Sequence, residues 1–223
     1  MDVSIVIPTY NRQKFEKVIS YNILCQSYPF IKEIIIADDG LVEERLEINC
    51  PYPIIYHNIK RCSIGYKRNY LNKVATGAYI VHMDTDDFYH PEYISTSIYN
   101  LIKSRKSVSG SADMILKGGD NYYKQRCVYA DMLNEATLVY TAEYASTHFF
   151  GDANSSEGRS FLPEIKHIVE TDIDKIMCCL VHDGNTVNKN AWLTDTYLMS
   201  NPPTDYDSHL SIYKAHILST TNV

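Results

Sequence analysis

Short apolar runs alternate with segments of helical periodicity through the first half of the chain. The apolar runs predict strands at residues 3–7, 33–37, 53–56 and 79–83. Residues 14–27 show helical periodicity, residues 65–76 predict a helix rich in Lys and Arg, and residues 91–105 predict an amphipathic helix. Strands that alternate with helices usually pair in parallel. The pattern therefore predicts an α/β fold with a single doubly wound, mostly parallel sheet flanked by helices.

The pattern of the second half is weaker. It predicts strands at residues 114–117 and 125–129, a short helix at 141–147, a loop at 150–160 and a late strand at 175–182. No internal repeat, low-complexity tract or linker interrupts the sequence. The chain is therefore predicted to form a single domain over residues 1–223, with a change of character after residue 107.

The composition excludes several classes of protein. Apolar residues make up 45% and charged residues 22% of the 223 positions, which is ordinary for a globular protein. The net charge of −6 and the lack of a basic tract argue against nucleic-acid binding. None of the six cysteines forms a C-x-x-C pair, which argues against a structural zinc site. Their scatter through an α/β-like chain favours reduced thiols and a cytoplasmic protein. The apolar runs are too short to predict a transmembrane segment.

The most informative polar cluster follows the fourth predicted strand. Asp84, Asp86 and Asp87 lie within four positions there. Carboxylates this close repel one another, so they need a cation or protons to coexist. Mg²⁺ and Mn²⁺ prefer oxygen ligands, and Mg²⁺ typically takes one or two carboxylates together with substrate phosphates. Asp84 and Asp86 are therefore candidate ligands for Mn²⁺ or Mg²⁺ shared with a diphosphate.

The Asp-x-Asp spacing alone carries little weight. It recurs at Asp172/Asp174 and at Asp205/Asp207, but of the three pairs only Asp84/Asp86 follows an apolar run. The simpler interpretation of the whole cluster is a solvated acidic turn, in which Asp87 caps the helix that follows.

Two further polar clusters follow the first two predicted strands, at residues 8–12 and 38–40. Parallel strands end at the same edge of a sheet, so these clusters and the acidic one can surround a single ligand. Asp39 could accept hydrogen bonds from a base or ribose, and Tyr10 could pack against a base. An ordinary strand-to-helix turn, with Gly40 supplying the backbone freedom, is the simpler interpretation of residues 38–40.

Lys67 and Arg68 fall in the first turns of a predicted helix, where cations are poorly matched to the helix dipole. That mismatch suggests that they face an anion such as a diphosphate. For Lys67 we favour the alternative, a solvated helix face.

Together these segments resemble glycosyltransferase family 2. The matching segments are VSIVIPTYNR at 3–12, IIADDG at 35–40, GYKRN at 65–69 and GAYIVHMDTDD at 77–87. They stand in the family's order and approximate spacing over residues 1 to about 95. The resemblance implies a GT-A fold, a nucleotide-sugar donor, a divalent metal ion and transfer with inversion.

The resemblance also implies roles for individual residues. The implied donor-binding residues are Pro8, Thr9, Tyr10, Arg12, Asp39, Arg68, Asp84 and Thr85. Within this set, Arg68 would lie near the diphosphate and Asp84 near the ribose or the metal. Asp86 would bind the metal, and His182, at the end of the late strand, resembles a late histidine of many relatives. His182 is predicted either to bind metal or diphosphate or to be a structural histidine.

The second half matches the family less well. Relatives usually supply a catalytic carboxylate from a Glu-Asp pair, and the best counterpart here is Glu157-Gly158, where glycine stands in place of the aspartate. Glu157 is our prediction for the general base, and Asp152 is the alternative. A solvated loop carboxylate is the simpler interpretation of Glu157.

The sequence thus predicts a metal-dependent inverting glycosyltransferase that uses a nucleotide-sugar donor, most simply a UDP-sugar. The acceptor would be a hydroxyl group on a glycan or a related molecule. Residues 1–107 would form the nucleotide-binding half, and residues 108–223 the acceptor-side half with a C-terminal tail. The chain is also compatible with being one part of a larger multidomain enzyme.

Two other classes of function remain as alternatives. An Asp-dependent phosphatase or phosphotransferase also uses Asp-x-Asp, but typically after its first strand, which here ends in Pro8-Thr9-Tyr10. A non-catalytic receiver-like module would need a lysine at the end of a late strand, whereas Lys175 begins the predicted one. Both alternatives fit the ordered set of motifs poorly.

Overall fold

The computed structural model describes residues 1–127, 132–203, 206 and 211. The strands are β1 Val3–Thr9, β2 Ile31–Asp38, β3 Ile54–Asn58, β4 Tyr79–His82, β5 Phe88–Tyr89, β6 Val108–Gly110, β7 Asp113–Gly118, β8 Asn121–Arg126, β9 Val139–Thr141, β10 Ile168–Glu170 and β11 Met177–Leu180. The α-helices are α1 Glu16–Leu24, α2 Ile64–Val74, α3 Tyr93–Ser104, α4 Ala142–Ala145 and α5 Gly158–Phe161. Short 3₁₀ turns lie at Gln13–Phe15, Val42–Glu44, Glu135–Thr137, Ile165–His167, Ile173–Lys175 and Asn190–Trp192.

The central sheet has seven strands in the order β10-β6-β9-β4-β1-β2-β3 within the described residues. The pairs β4-β1, β1-β2 and β2-β3 are parallel. Strand β9 is the exception, because it lies antiparallel between β4 and β6. The α/β class and the mostly parallel central sheet with flanking helices are therefore confirmed.

The structure adds a second sheet where the sequence predicted a single one. Its four strands follow the order β5-β11-β7-β8. Strand β5 has only two residues, which is too short to leave any periodicity in the sequence. Strand β8 is largely polar and begins at Asn121, four residues before the predicted strand at 125–129. Residues 128 and 129 of that prediction, and the pair Asp205/Asp207, lie outside the described residues.

Alternating side chains on the central strands pack against helices on both faces of the sheet. Ile5 and Ile7 belong to one buried cluster, which also contains Ile19 of α1 and Ile98 of α3. Val6 points the other way into a second cluster, with Leu71 of α2 and Phe161 of α5. Burial on both faces explains why these strands appear as continuous apolar runs rather than as alternating patterns.

The parallel arrangement brings the ends of three strands to one edge of the central sheet. The last residue of β1, Thr9, pairs with Asp38 at the end of β2. Val6 of β1 pairs with His82, so the loop after β4 emerges beside the other two. The three polar clusters therefore meet at this edge, as the sequence predicted. Across the described part of the chain, no helix combines the length and apolar character needed to cross a membrane.

Candidate active site

An open cavity of about 640 Å³ lies at this edge of the central sheet. Its wall contains most of the residues singled out in the sequence, namely Pro8, Thr9, Tyr10, Arg12, Arg68, Asp84, Thr85, Asp86 and Glu157. Three other predicted residues, Asp39, Asp152 and His182, are not part of the wall. The wall also includes residues that the sequence did not single out for the site, among them Arg61, Glu135 and Lys189.

Asp39 lies beneath the wall and is engaged by the chain itself. Its carboxylate accepts hydrogen bonds from Lys67 Nζ at 2.6 Å, Arg61 at 2.7 Å and the Cys62 amide at 2.9 Å. Burial alone would raise the pKa of Asp39, but these hydrogen bonds and the charge of Lys67 outweigh it and lower the pKa. The prediction of a solvated helix face for Lys67 was wrong. Its side chain is only 3% exposed because it reaches inward to Asp39 and the Thr9 carbonyl.

Tyr10 and Arg61 form an exposed pair at the rim of the cavity. The Arg61 guanidinium carbon lies 3.7 Å from the centre of the Tyr10 ring. A guanidinium over an aromatic face is attracted by the ring's charge distribution. Both groups are planar, so the rim offers a stacking surface for another planar group.

Arg68 is the central cation of the cavity. Its Nε donates to Glu157 Oε1 at 3.0 Å, and one terminal nitrogen lies 3.4 Å from Asp84 Oδ1. Its other terminal nitrogen contacts His82 Nδ1. Burial alone would lower the pKa of Arg68, but the charges of Asp84 and Glu157 outweigh it and raise the pKa. The guanidinium is therefore charged, nearly inaccessible and held from three sides.

A buried hydrogen-bonded relay holds Arg68 from behind. Arginine can only donate, so His82 Nδ1 must accept and the imidazole proton lies on Nε2. His82 Nε2 then donates to the Tyr140 hydroxyl at 2.5 Å, which donates to Asn72 Oδ1 at 2.6 Å. Burial, with the nearby charge of Arg68, lowers the pKa of His82 well below its ordinary value and keeps it neutral. His82 was not among the predicted site residues, although a histidine in an otherwise apolar strand is the sequence signal for such a relay.

Replacing Tyr140 with phenylalanine should destabilise the protein by about 1–3 kcal/mol, because it leaves buried polar atoms of His82 and Asn72 without a partner. Urea unfolding would measure the loss. Tyr99→Phe is the matched control, since the Tyr99 side chain is 59% exposed and its stability should not change. Equal stability of wild type and Tyr140→Phe would show that the relay does not depend on the hydroxyl.

The three clustered aspartates have different surroundings. Asp86 lies 3.0 Å from His182 Nε2 and 3.5 Å from Arg12, and these contacts outweigh burial and lower the pKa of Asp86. Burial raises the pKa of Asp84, although Arg68 opposes the shift. Asp87 accepts from the Leu180 amide at 3.1 Å, and burial raises the pKa of Asp87 to about 6. Asp87 thus fastens the turn to the second sheet and does not cap α3, whose N-cap is Glu92.

The side chains of the cavity could hold a divalent cation only if a bound ligand supplied further coordinating atoms. Among the described residues, no three or more His, Cys, Asp and Glu side chains are grouped so as to hold a metal ion. Asp84 and Asp86 nevertheless both line the cavity, with side chains that are 29% and 14% exposed. Such a pair is sufficient for Mg²⁺ or Mn²⁺ when phosphate oxygens supply the remaining ligands. These residues therefore fit a cation that binds together with a diphosphate.

His182 fits the metal less directly. Its Nδ1 accepts from the Gly184 amide at 3.0 Å, so the ring proton lies on Nε2 and faces Asp86. A metal on Nε2 would require the proton on Nδ1, where it would oppose the Gly184 amide. Ligation by His182 therefore requires the turn at Gly184 to move, and a metal role for His182 stays a prediction.

The candidates for the general base occupy different positions. Glu157 is buried in the cavity wall against Arg68. Asp152 is exposed, accepts from the Ser63 hydroxyl and lies outside the wall. Ser63 is also the N-cap of α2, so Asp152 supports the start of that helix. The structure thus brings Glu157 to the cavity and leaves Asp152 at its outer margin.

Comparisons with known proteins agree with this geometry. The sequence model described as Glycosyl transferase family 2 matches residues 4–165. An uncharacterised glycosyltransferase of Mycoplasma genitalium is 33% identical over 94 residues, which make up 39% of this chain and 32% of that protein. The matched region therefore spans about a third of the length of this curated relative.

Similarity to solved structures extends over most of the chain. S. aureus TarS in complex with UDP-GlcNAc superposes with a TM-score of 0.60 at 16% identity, over 98% of this chain and 67% of that one. The mannosyltransferase PcManGT from Pyrobaculum calidifontis, in complex with GDP-Man and Mn²⁺, superposes with a TM-score of 0.58 at 12% identity, over 85% and 59%. At such low identity these similarities concern the fold, and they confirm the GT-A type of architecture.

Proposed function

Because the chain belongs to glycosyl transferase family 2 and so contains a glycosyltransferase domain, we propose that it transfers a sugar from a UDP-sugar to a hydroxyl acceptor with inversion. The acceptor would be a glycan or a related molecule. The observation that carries this proposal is the cavity at the sheet edge, where Arg68 and the Asp84/Asp86 pair face the same space. Ligands of open α/β sheets bind at such an edge.

The nucleoside end of the donor would bind near the ends of β1 and β2. The Tyr10–Arg61 pair offers a stacking surface for the base. Thr9 lines the cavity, and its buried hydroxyl has no hydrogen-bond partner within the described residues. An unpartnered buried hydroxyl is costly, so it is a natural contact for the base or ribose. Pro8 completes this part of the wall, and Asp39 fixes its floor through Lys67 and Arg61.

The diphosphate would lie between Arg12, Arg68 and the acidic turn. Arg12 is held by the Gly184 carbonyl at 2.8 Å and lies beside Asp86. Thr85 belongs to the same stretch of wall. Asp84 and Asp86 would hold Mn²⁺ or Mg²⁺ against the phosphate oxygens. When bound, the cation offsets the negative charge that develops on the leaving diphosphate.

The acceptor hydroxyl must lose a proton to a carboxylate as it attacks the sugar. The sequence prediction assigns this step to Glu157, with Asp152 as the alternative. Burial of Glu157 in the wall supports the first assignment over the second. Its contact with Arg68 at 3.0 Å weighs against both its basicity and its freedom to reach an acceptor.

A panel of donors tests the proposed function. UDP-glucose, UDP-galactose, UDP-GlcNAc and GDP-mannose are incubated with the protein, and release of nucleoside diphosphate is measured with and without Mn²⁺. We expect Mn²⁺-dependent release from a UDP-sugar and, by calorimetry, tighter binding of UDP than of GDP. A clear preference for GDP would contradict the donor assignment, and no turnover of any donor would contradict the function.

Two broader aspects of the sequence interpretation remain proposals. The matched region covers only part of the curated relative, which is compatible with a place in a larger multidomain enzyme. A cytoplasmic location likewise rests on the cysteine pattern of the sequence alone. Phosphotransfer gains no support, because β1 ends at Thr9 rather than in a pair of aspartates. A receiver-like role gains none either, because Lys175 lies in the turn before β11 and not at the end of that strand.

A further inference from the structure

The carboxylates along the cavity wall differ in the contacts that they already make with other residues of the protein. Asp84 and Glu157 contact Arg68, and Asp86 contacts His182 and Arg12. A base must be free to receive a proton from an incoming hydroxyl, so these ion pairs make Asp84, Asp86 and Glu157 less suitable. Asp87 is tied to the Leu180 amide and is only 3% exposed, which leaves it out of reach of an acceptor.

Glu135 is the exception among the described carboxylates of the wall. It lies in the 3₁₀ turn Glu135–Thr137, which a single residue separates from β9. Its Oε1 accepts from the Gly158 amide at 3.0 Å, and it forms no ion pair with a described residue. Its own backbone amide is a second main-chain donor, so the carboxyl group is fixed without an ion pair to a described residue.

Gly158 makes room for this carboxylate. A Cβ atom built on Gly158 would lie 2.8 Å from Glu135 Cγ and 2.9 Å from Glu135 Oε1. Any larger residue at position 158 would therefore have to displace Glu135. In the sequence, the same glycine stands where an acidic pair would have its second carboxylate. The carboxyl group of Glu135 thus occupies the space that a side chain at position 158 would enter.

We propose that Glu135 is the general base that deprotonates the acceptor hydroxyl. This assignment rests on the proposed glycosyl transfer. The acceptor oxygen forms a bond to the anomeric carbon of the sugar. The bond from that carbon to the diphosphate oxygen breaks, and both its electrons leave with the diphosphate. The hydroxyl proton passes to Glu135, so no further reactant is needed.

The surroundings of Glu135 are consistent with a base. Burial, followed by the negative charge of Glu157, raises the pKa of Glu135, while its own backbone amide, the charge of Arg68 and the Gly158 amide oppose the shift. A carboxylate with a raised pKa is a stronger proton acceptor than an ordinary one. Glu157 then has a different role, because its bond to Arg68 Nε holds the guanidinium in place.

The test compares Glu135→Gln with Glu157→Gln, using water as the acceptor. Glutamine keeps the size of the side chain and can still accept from the Gly158 amide, but it cannot take the proton. Glu135→Gln should bind UDP and Mn²⁺ as wild type does in calorimetry, yet release UDP from the best donor of the panel at least ~10²-fold more slowly. Glu157→Gln should instead weaken UDP binding, because Arg68 loses a charged partner. Glu143→Gln, at an exposed site on α4, is the control and should change neither quantity.

A second measurement shows whether Glu135→Gln loses proton transfer or damages the structure of the site. Azide is an anionic nucleophile with no proton to lose, so Glu135→Gln should form the glycosyl azide at the wild-type rate. If Glu135→Gln is poorly folded, Glu135→Asp replaces it, and this variant should retain more hydrolysis than Glu135→Asn.

The outcomes distinguish the assignment of Glu135 from the proposed glycosyltransferase function on which it rests. Turnover by wild type combined with near-wild-type hydrolysis by Glu135→Gln would overturn the assignment of Glu135 and leave the glycosyltransferase function standing. The selective loss of hydrolysis in Glu157→Gln instead would identify Glu157 as the base. Failure of wild type to turn over any donor would overturn both proposals.

Discussion

Replacement of Asp86 by alanine should abolish the Mn²⁺-dependent part of donor binding. Asp86 lies at the cavity wall with its side chain 14% exposed, so one of its oxygens can reach a bound cation. Without that carboxylate, Asp84 is the remaining member of the pair, and the cation loses half of its protein oxygen ligands. Calorimetric titration of UDP with and without Mn²⁺ measures the effect. We expect the affinity of the variant to be the same in both titrations.

Asp172→Ala is the matched control for this experiment. Asp172 belongs to another Asp-x-Asp pair, but its carboxylate accepts from the Asp174 amide at 3.1 Å and lies outside the cavity wall. Its removal should leave the response to Mn²⁺ unchanged. Equal UDP affinity of wild type and Asp86→Ala in the presence of Mn²⁺ would count decisively against the metal assignment.

Arg68→Met should remove donor binding and also destabilise the fold by about 3–5 kcal/mol, because it leaves charged partners buried without compensation. The side chains of Arg68 and Glu157 are only 4% and 5% exposed, so water cannot replace the lost contact. His82 would lose its donor at the same time. Urea unfolding measures the stability, and calorimetry with UDP measures the binding.

Arg126→Met provides the comparison with an exposed arginine. Arg126 also bridges two carboxylates, those of Asp113 and Glu170, but its side chain is 54% exposed. Exposed ion pairs of this kind contribute about 0–1 kcal/mol, so the loss should be correspondingly small. Similar losses for the two variants would mean that Arg68 is not held as a buried charge in solution.

Much of the first half could be predicted from the sequence because its strands are buried on both faces. The runs at 3–7, 33–37 and 79–83 correspond to β1, β2 and β4, and the polar clusters after them meet at one edge. Helix ends were less accurate, since α1 spans Glu16–Leu24 rather than 14–27. Local sequence signals do not fix helix ends when tertiary contacts decide them.

The features of the site and fold that could not be predicted depend mostly on contacts between segments that are distant in the sequence. Lys67 resembled a solvated helix residue because nothing local reveals its contact with Asp39, 28 positions earlier. Glu135 lies in a short turn and belongs to no sequence motif, yet it reaches Gly158 across 23 positions. The short strand β5 was missed because two residues leave no period to detect. The edge where the polar clusters meet could be predicted from local patterns, but the residues that other loops bring there could not.

The position of β9 in the central sheet makes the two sequence halves interdependent. Strand β4 pairs with β1 on one side and with β9, Val139–Thr141, on the other. Until residue 141 has left the ribosome, β4 presents an open edge of unpaired amides and carbonyls, which invites association with other chains. Tyr140 on β9 also completes the relay behind Arg68. The first half of the chain therefore cannot complete its sheet when its own synthesis ends, because it needs a strand from the half that is made later.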